Sequence, residues 1–181
     1  YKAFSPDYEH SLLLSNVEPL FNAPLNNWDI SNVTDLSYAF YNAKFYNQPL
    51  NDWDTSHVIY MDSMFAGAKS FDQPLNDWDT SHVTDMQYMF ARARRFNQSL
   101  NNWDTSNVTN MIGIFAGATS FNQPINDWDT SHITKMINIF GDPWDEGASS
   151  FNQPLNHWDT SNVTDMTNMF YGANAFNQPL N

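Results

Sequence analysis

Apolar residues in this chain recur in register every 25 positions, and that period organises everything else in the sequence. Tryptophan marks it at Trp28, Trp53, Trp78, Trp103 and Trp128, with Trp158 following after 30 residues. A phenylalanine column runs through Phe40, Phe65, Phe90, Phe115, Phe140 and Phe170. A second aromatic column runs through Phe21, Tyr46, Phe71, Phe96, Phe121, Phe151 and Phe176. The consensus unit reads F-N-Q-P-L-N-x-W-D-T-S-x-V-T-x-M-x-x-M-F-x-G-A-x-x. Six full units span 21–175, and a seventh begins at Phe176 and stops at Asn181. Residues 1–20 lack the pattern, and their Leu12-Leu13-Leu14 stretch suits an N-terminal cap over the first coil. The chain starts at Tyr1 without Met and ends within a repeat, which reads as a fragment or processed form.

The unit from Tyr46 to Ser70 carries the local pattern. Val58, Met61, Met64, Phe65 and Ala68 are spaced by three and four residues, which predicts one face of a short helix. Ser56 suits its N-cap and Gly67 its end. Pro49 to Asp54 reads as a short strand with Pro at its start, where no ladder N–H is needed. Such a unit cannot bury its apolar face alone, but stacked copies can, with strands pairing in parallel about 4.8 Å apart. The predicted fold class is therefore α/β, a right-handed leucine-rich-repeat-like solenoid with one short parallel strand and one short helix per coil.

One insertion breaks the period. Gly141-Asp142-Pro143-Trp144-Asp145-Glu146-Gly147 stands where other units have a two-residue link such as Ala66-Gly67. Trp144 lies outside the aromatic columns, so this inserted loop is a candidate partner-binding site together with Asp142 and Asp145. The alternative is that Trp144 folds back over the flank of the stack. A second departure is Arg92, Arg94 and Arg95, three of the seven basic residues within four positions. They read either as a local positive spot for a partner or as partners of nearby Asp side chains. The variable positions Asp52, Asp77 and Asp127 make a third candidate, an acidic recognition face.

Composition narrows the function classes. The net charge of −13 repels nucleic-acid phosphates, so no nucleic-acid partner is expected. Cysteine is absent, which removes disulfides, thiolate nucleophiles and zinc–thiolate sites. No apolar run approaches the roughly 20 residues that span a bilayer.

The repeated polar columns raise the question of chemistry. Asp29, Asp54, Asp79, Asp104, Asp129 and Asp159 stack in register. Carboxylates about 4.8 Å apart repel by roughly 1 kcal/mol per pair in water and about 3.5 at an effective dielectric of 20, so something must offset them. One reading has each Asp accept local backbone N–H groups as a cap. The other has bound calcium at Asp54, Asp79, Asp104 and Asp129, helped by Asp52, Asp77 and Asp127. The Asn26, Asn51, Asn76, Asn101, Asn126 column and the Gln48, Gln73, Gln98, Gln123 column suit ladders tying coils together. His57, His82 and His132 share an exposed register with Asn in other units, which argues against a metal clasp. A nucleophilic triad needs one unique constellation, and here Ser, His and Asp merely recur by repetition, so no enzyme activity is expected.

The unit F-N-Q-P-L-N-x-W-D-T-S-x-V-T-x-M-x-x-M-F-x-G-A resembles the repeat of BspA-like leucine-rich-repeat surface proteins, in particular the roughly 25-residue repeats of bacterial surface lipoproteins. The resemblance covers Phe21 to Asn181. It implies an extracellular or cell-surface location and adhesion to a protein or carbohydrate on a host or neighbouring cell, and carries no catalytic residues. The competing expectation is a passive spacer or coat whose ligand site lies on another domain.

Overall fold

The computed structural model describes residues 21–180, so the predicted cap over 1–20 lies outside the described residues. The units stack as coils: 21–45, 46–70, 71–95, 96–120, 121–150 and 151–175, with the next coil begun at Phe176. The coil interior differs from the prediction. Among the described residues there is no helix, and β-pairing is confined to isolated parallel bridges, Asp35–Tyr60, Tyr60–Asp85, Asp85–Asn110 and Lys135–Asp165. An α/β solenoid with a helix per coil is therefore overturned.

The reason lies in where the backbone N–H groups go. In the second coil the segment predicted as helix donates alternately in two directions. The N–H groups of Met61, Ser63, Phe65 and Gly67 reach the carbonyls of Asp85, Gln87, Met89 and Ala91 in the third coil at 2.7–3.0 Å. Those of Met64, Ala66 and Ala68 close tight turns onto Met61, Ser63 and Phe65 at 3.0–3.3 Å. A helix would send every N–H to the residue four back. Here overlapping turns link residues three apart, so apolar side chains still return to one face at spacings of three and four. The apolar spacing is the one a helix would have, and it does not separate the two structures.

Left-handed backbone accompanies this pattern of hydrogen bonds. Two registers per coil have positive φ: Tyr38, Ser63, Tyr88, Gly113, Asn138 and Asn168 in the first, and Asn42, Gly67, Arg92, Gly117 and Gly172 in the second. A positive φ at the third position of a turn interrupts any right-handed helical run. Tyr38, Tyr88 and Arg92 adopt it at φ of 53–60°, which side chains of that size rarely do. The inter-coil hydrogen bonds from these same residues hold them there.

The predicted strand is also a turn. Trp53 N–H donates to Leu50 O at 3.1 Å, and the equivalent bond recurs at Trp78, Trp103, Trp128 and Trp158. Each indole then ties coils together. Trp53 Nε1 donates to Leu25 O at 3.0 Å, Trp78 to Leu50 O at 3.0 Å, Trp103 to Leu75 O at 2.9 Å and Trp158 to Ile125 O at 2.9 Å. The buried Thr55, Thr80, Thr105 and Thr130 hydroxyls donate forward to Asp79, Asp104, Asp129 and Asp159 carbonyls at 2.9–3.1 Å.

The core is a set of ring ladders. Phe40, Phe65, Phe90, Phe115 and Phe140 stack at 5.2–6.1 Å with interplanar angles of 5–8°. The neighbouring ladder, Tyr46 to Phe151, stacks at 6.1–6.3 Å. The two ladders touch where one coil passes into the next, at 3.9–4.1 Å between Phe65 and Phe71, Phe90 and Phe96, Phe115 and Phe121, and Phe140 and Phe151. Met and Val columns fill the remaining interior, with Val58, Met61, Val83, Met86 and Val108 fully buried.

Tyr46 is the one tyrosine in its ladder, and its buried hydroxyl has no hydrogen-bond partner. Burial pushes its pKa up to about 12. An unpaired buried hydroxyl costs about 1–3 kcal/mol, so Tyr46→Phe should raise the urea midpoint, by roughly 1 kcal/mol of stability. The gain should grow above about pH 10, where the unfolded tyrosine ionises and the folded one does not. A lower midpoint for Tyr46→Phe would contradict this account.

Candidate functional site

The polar columns are structural first. Each Asp in the Asp29 column closes a local turn onto the Ser two residues on. Asp54 Oδ1 accepts from Ser56 N–H at 3.1 Å and Ser56 Oγ at 2.6 Å, and Asp79 accepts from Ser81 at 2.9 and 2.7 Å. Asp104 and Asp129 accept Ser106 and Ser131 N–H at 2.9 Å. The seryl bonds hold Asp29, Asp54, Asp79 and Asp129 below the ordinary carboxyl value. Repulsion from Asp54 raises Asp29 and Asp79, but ranks below the hydrogen bonds. Each carboxylate thus has a local hydrogen-bonded offset to its stacked charge, at a tight turn in place of a helix start. Among the described residues no group of three or more His, Cys, Asp or Glu side chains stands together to hold a metal.

Asp85 has the opposite sign. Burial raises its pKa above the ordinary 3.8, against the hydrogen bonds from Gln87 N–H and Asn110 Nδ2. A raised carboxyl makes folding less favourable once pH climbs past 3.8, where the unfolded group ionises first. The lowered column does the reverse: its stabilisation is present above 3.8 and is lost as pH falls through the folded values. Asp85→Asn, which places Asn where the next coil has Asn110, should therefore raise the urea midpoint at pH 7. The difference should vanish below about pH 3.8 while both proteins lose stability together. An unchanged midpoint at pH 7 would remove the burial argument.

The coil-tying side chains are only partly those expected. The Gln column does bridge coils, but onto a register the sequence reading passed over. Asn47, Asp72, Asn97, Asn122 and Asn152 each accept the backbone N–H of the next coil at 2.8–2.9 Å and its Gln Nε2 at 2.9–3.1 Å. From the column starting at Asn26, Asn76 and Asn126 accept the N–H of Asn102 and His157 across coils.

The inserted segment and the arginines meet. Arg92 Nε donates to Asp142 Oδ2 at 2.7 Å and its Nη2 to Asp142 Oδ1 at 3.1 Å. Arg94 Nη2 bonds Asp145 Oδ2. The Asp142 side chain is 4% exposed, and its Oδ1 also accepts Trp144 N–H at 3.0 Å. Donating to the Asp142 carboxylate raises the Arg92 pKa. Arg92 stands two coils before the insertion, so its side chain must cross the fourth coil. Gly117 makes the crossing possible: a Cβ there would stand 2.9 Å from Arg92 Cγ and 3.1 Å from Asp142 Oδ2. The same device recurs where Asn42 lies over Gly67 and Tyr88 over Gly113. Ala148 N–H closes the insertion onto Phe140 O at 2.7 Å, the bond that Ala68 makes to Phe65 in an ordinary coil. Five extra residues thus leave the stack in register.

The arm so held walls a groove of about 370 Å³ that runs along the stack from the first coil to the fifth. Tyr38 and Tyr41 stand at one end, packed edge-on at 5.6 Å. Trp144, 80% exposed, stands at the other. The floor is small: Ala66, Gly67, Ala91 and Ala116. Of the predicted partner residues, Arg92, Asp142 and Trp144 line the groove. Arg94 and Asp145 brace the arm, and Arg95 is exposed. Asp52, Asp77 and Asp127 are exposed, and none of them lines the groove. Sequence reasoning missed the tyrosines, because Tyr38, Tyr41 and Tyr88 stand outside the repeated apolar columns.

These features define a repeat protein of stacked turn coils with a single inserted arm bordering a lateral groove. The chain belongs to the family described as Mycoplasma protein of unknown function, DUF285, whose model matches residues 11–111 and 98–181. No curated protein and no solved structure matches the chain. No helix among the described residues is long and apolar enough to cross a membrane.

Proposed function

We propose that the chain is a cell-surface or secreted binding module, not an enzyme, and that the groove beside Trp144 is its recognition surface. One observation carries the reading: a tryptophan held 80% exposed on an arm that two ion pairs fix in place. Leaving such a ring in water forgoes about 3 kcal/mol of burial. Exposed Trp backed by rigid structure is the usual anchor of a binding surface. The resemblance to BspA-like surface repeats supports an extracellular setting and a protein or carbohydrate partner on another cell.

The test is binding of the chain to a panel of extracellular-matrix proteins and polysaccharides, with calcium and with chelator, beside Trp144→Ala. Saturable binding that drops at least about tenfold in Trp144→Ala, with an unchanged melting temperature, is expected. Binding unaffected by Trp144→Ala would sink the groove as the recognition surface. Silence across the panel would leave the passive spacer as the better reading.

A further inference from the structure

Resting on the binding-module reading, we propose that the groove takes an uncharged, proline-rich peptide segment in the polyproline II conformation. Charge is the first argument. The ionic groups that line the groove are Arg92 and Asp142, and they neutralise each other through two hydrogen bonds. A ligand's carboxylate or ammonium finds no unpaired counter-charge there.

Side-chain chemistry is the second. The walls are rings with polar ends, Tyr38, Tyr41, Tyr88 and Trp144, over a floor of Ala and Gly. Proline rings pack on such faces, and a proline-rich backbone presents carbonyls with few N–H groups to satisfy. The hydroxyls of Tyr41 and Tyr88 and the Trp144 indole N–H are the matching donors. A saccharide would need donor and acceptor at each hydroxyl. Besides the tyrosine hydroxyls the groove offers few polar side chains for that: Arg92 and Asp142 bond each other, Ser63 and Asn138 are each only 6% exposed, and Asn42 is half-buried over Gly67.

Spacing is the third. Inter-coil backbone pairing sets neighbouring coils about 4.8 Å apart, so Tyr38 and Tyr88, two coils apart in one register, repeat at about 9.6 Å. One polyproline II turn of three residues rises about 9.3 Å. Successive turns of such a peptide therefore match the two-coil step of the backbone along the groove. The run from Tyr38 to Asn138, four coil steps or about 19 Å, accommodates roughly six residues. Aromatic-lined grooves are a general means of reading this conformation.

The experiment titrates a ten-residue oligoproline into the 181-residue chain, following tryptophan fluorescence and calorimetric heat. A Gly-Ser peptide of equal length and linear glucose oligosaccharides serve as comparisons. Saturable oligoproline binding is expected, with the dissociation constant raised at least about tenfold by Trp144→Ala and by Tyr41→Ala. The melting temperature should not change in Trp144→Ala, whose side chain is 80% exposed, whereas Tyr41→Ala gives up its edge-on contact with Tyr38 and is titrated well below its own melting temperature. No response to oligoproline at millimolar concentration overturns the proposal, as does oligosaccharide binding in its place. Binding to a panel protein that depends on Trp144 but is not competed by oligoproline also overturns it, while leaving the binding-module reading standing.

Discussion

Phe90→Ala should cost about 3–5 kcal/mol of stability, a loss that the other fully buried rings of its ladder should share. Phe90 is fully buried and packs against four rings: Phe96 at 4.1 Å, Phe65 at 5.7 Å, Phe115 at 5.8 Å and Trp103 at 6.1 Å. Removing it opens a void that its neighbours cannot close, because each is fixed by its own coil's hydrogen bonds. Stability in a repeat array is the sum of coil and interface terms, so a central vacancy weakens two interfaces at once. Phe170 holds the same register near the end of the described stack, is only partly buried, and touches two rings, Phe140 and Phe176. Phe170→Ala should cost clearly less. Urea denaturation of both variants decides the matter, and equal losses would show that the ladder does not act as a set of coupled interfaces.

Arg92→Met should destabilise by about 2 kcal/mol, more than Asp142→Asn at about 1 kcal/mol. Removing the arginine leaves a carboxylate at 4% exposure with no counter-charge, whereas removing the acid leaves a guanidinium at 45% exposure that water solvates. Fully buried pairs broken this way lose about 3–5 kcal/mol, and half-exposure of Arg92 brings the figure down. Asn at 142 also keeps an oxygen for Trp144 N–H. Both variants should loosen the arm, so Trp144 fluorescence should change alongside the urea midpoint. The reverse order of losses would mean that the arm is held by its packing and not by this pair.

The arm also shows where sequence reasoning could have gone further. Arg92 occupies the register of Gly67 and Gly117, and the insertion replaces that same register two coils later. Two departures of opposite charge at one register are a legible signal once the register is read as a line down the stack. The pairing of Arg92 with Asp142 follows from that line, with Gly117 as the gap between them.

The amino-acid sequence by itself determined the period, the coil boundaries and the composition of the ring ladders. Phe40 to Phe140 and Tyr46 to Phe151 are buried and stacked at their repeat spacing, and Trp53, Trp78, Trp103, Trp128 and Trp158 are buried beside them, because a 25-residue unit must share its apolar face with its neighbours. Local capping of the Asp column was one of two readings that a single unit allowed, and the insertion's bounds were legible as a break in the period. Tertiary structure alone decided the backbone path. Spacings of three and four serve a helix and a run of overlapping turns equally well. Inter-coil hydrogen bonds chose between them: alternate N–H groups of each coil find carbonyls on the next one, a partner no isolated unit possesses. That choice put Tyr38 and Tyr88 into left-handed conformations and laid Arg92 across a glycine to hold the arm. It also opened the groove along the turn face, which exists only once the coils are stacked.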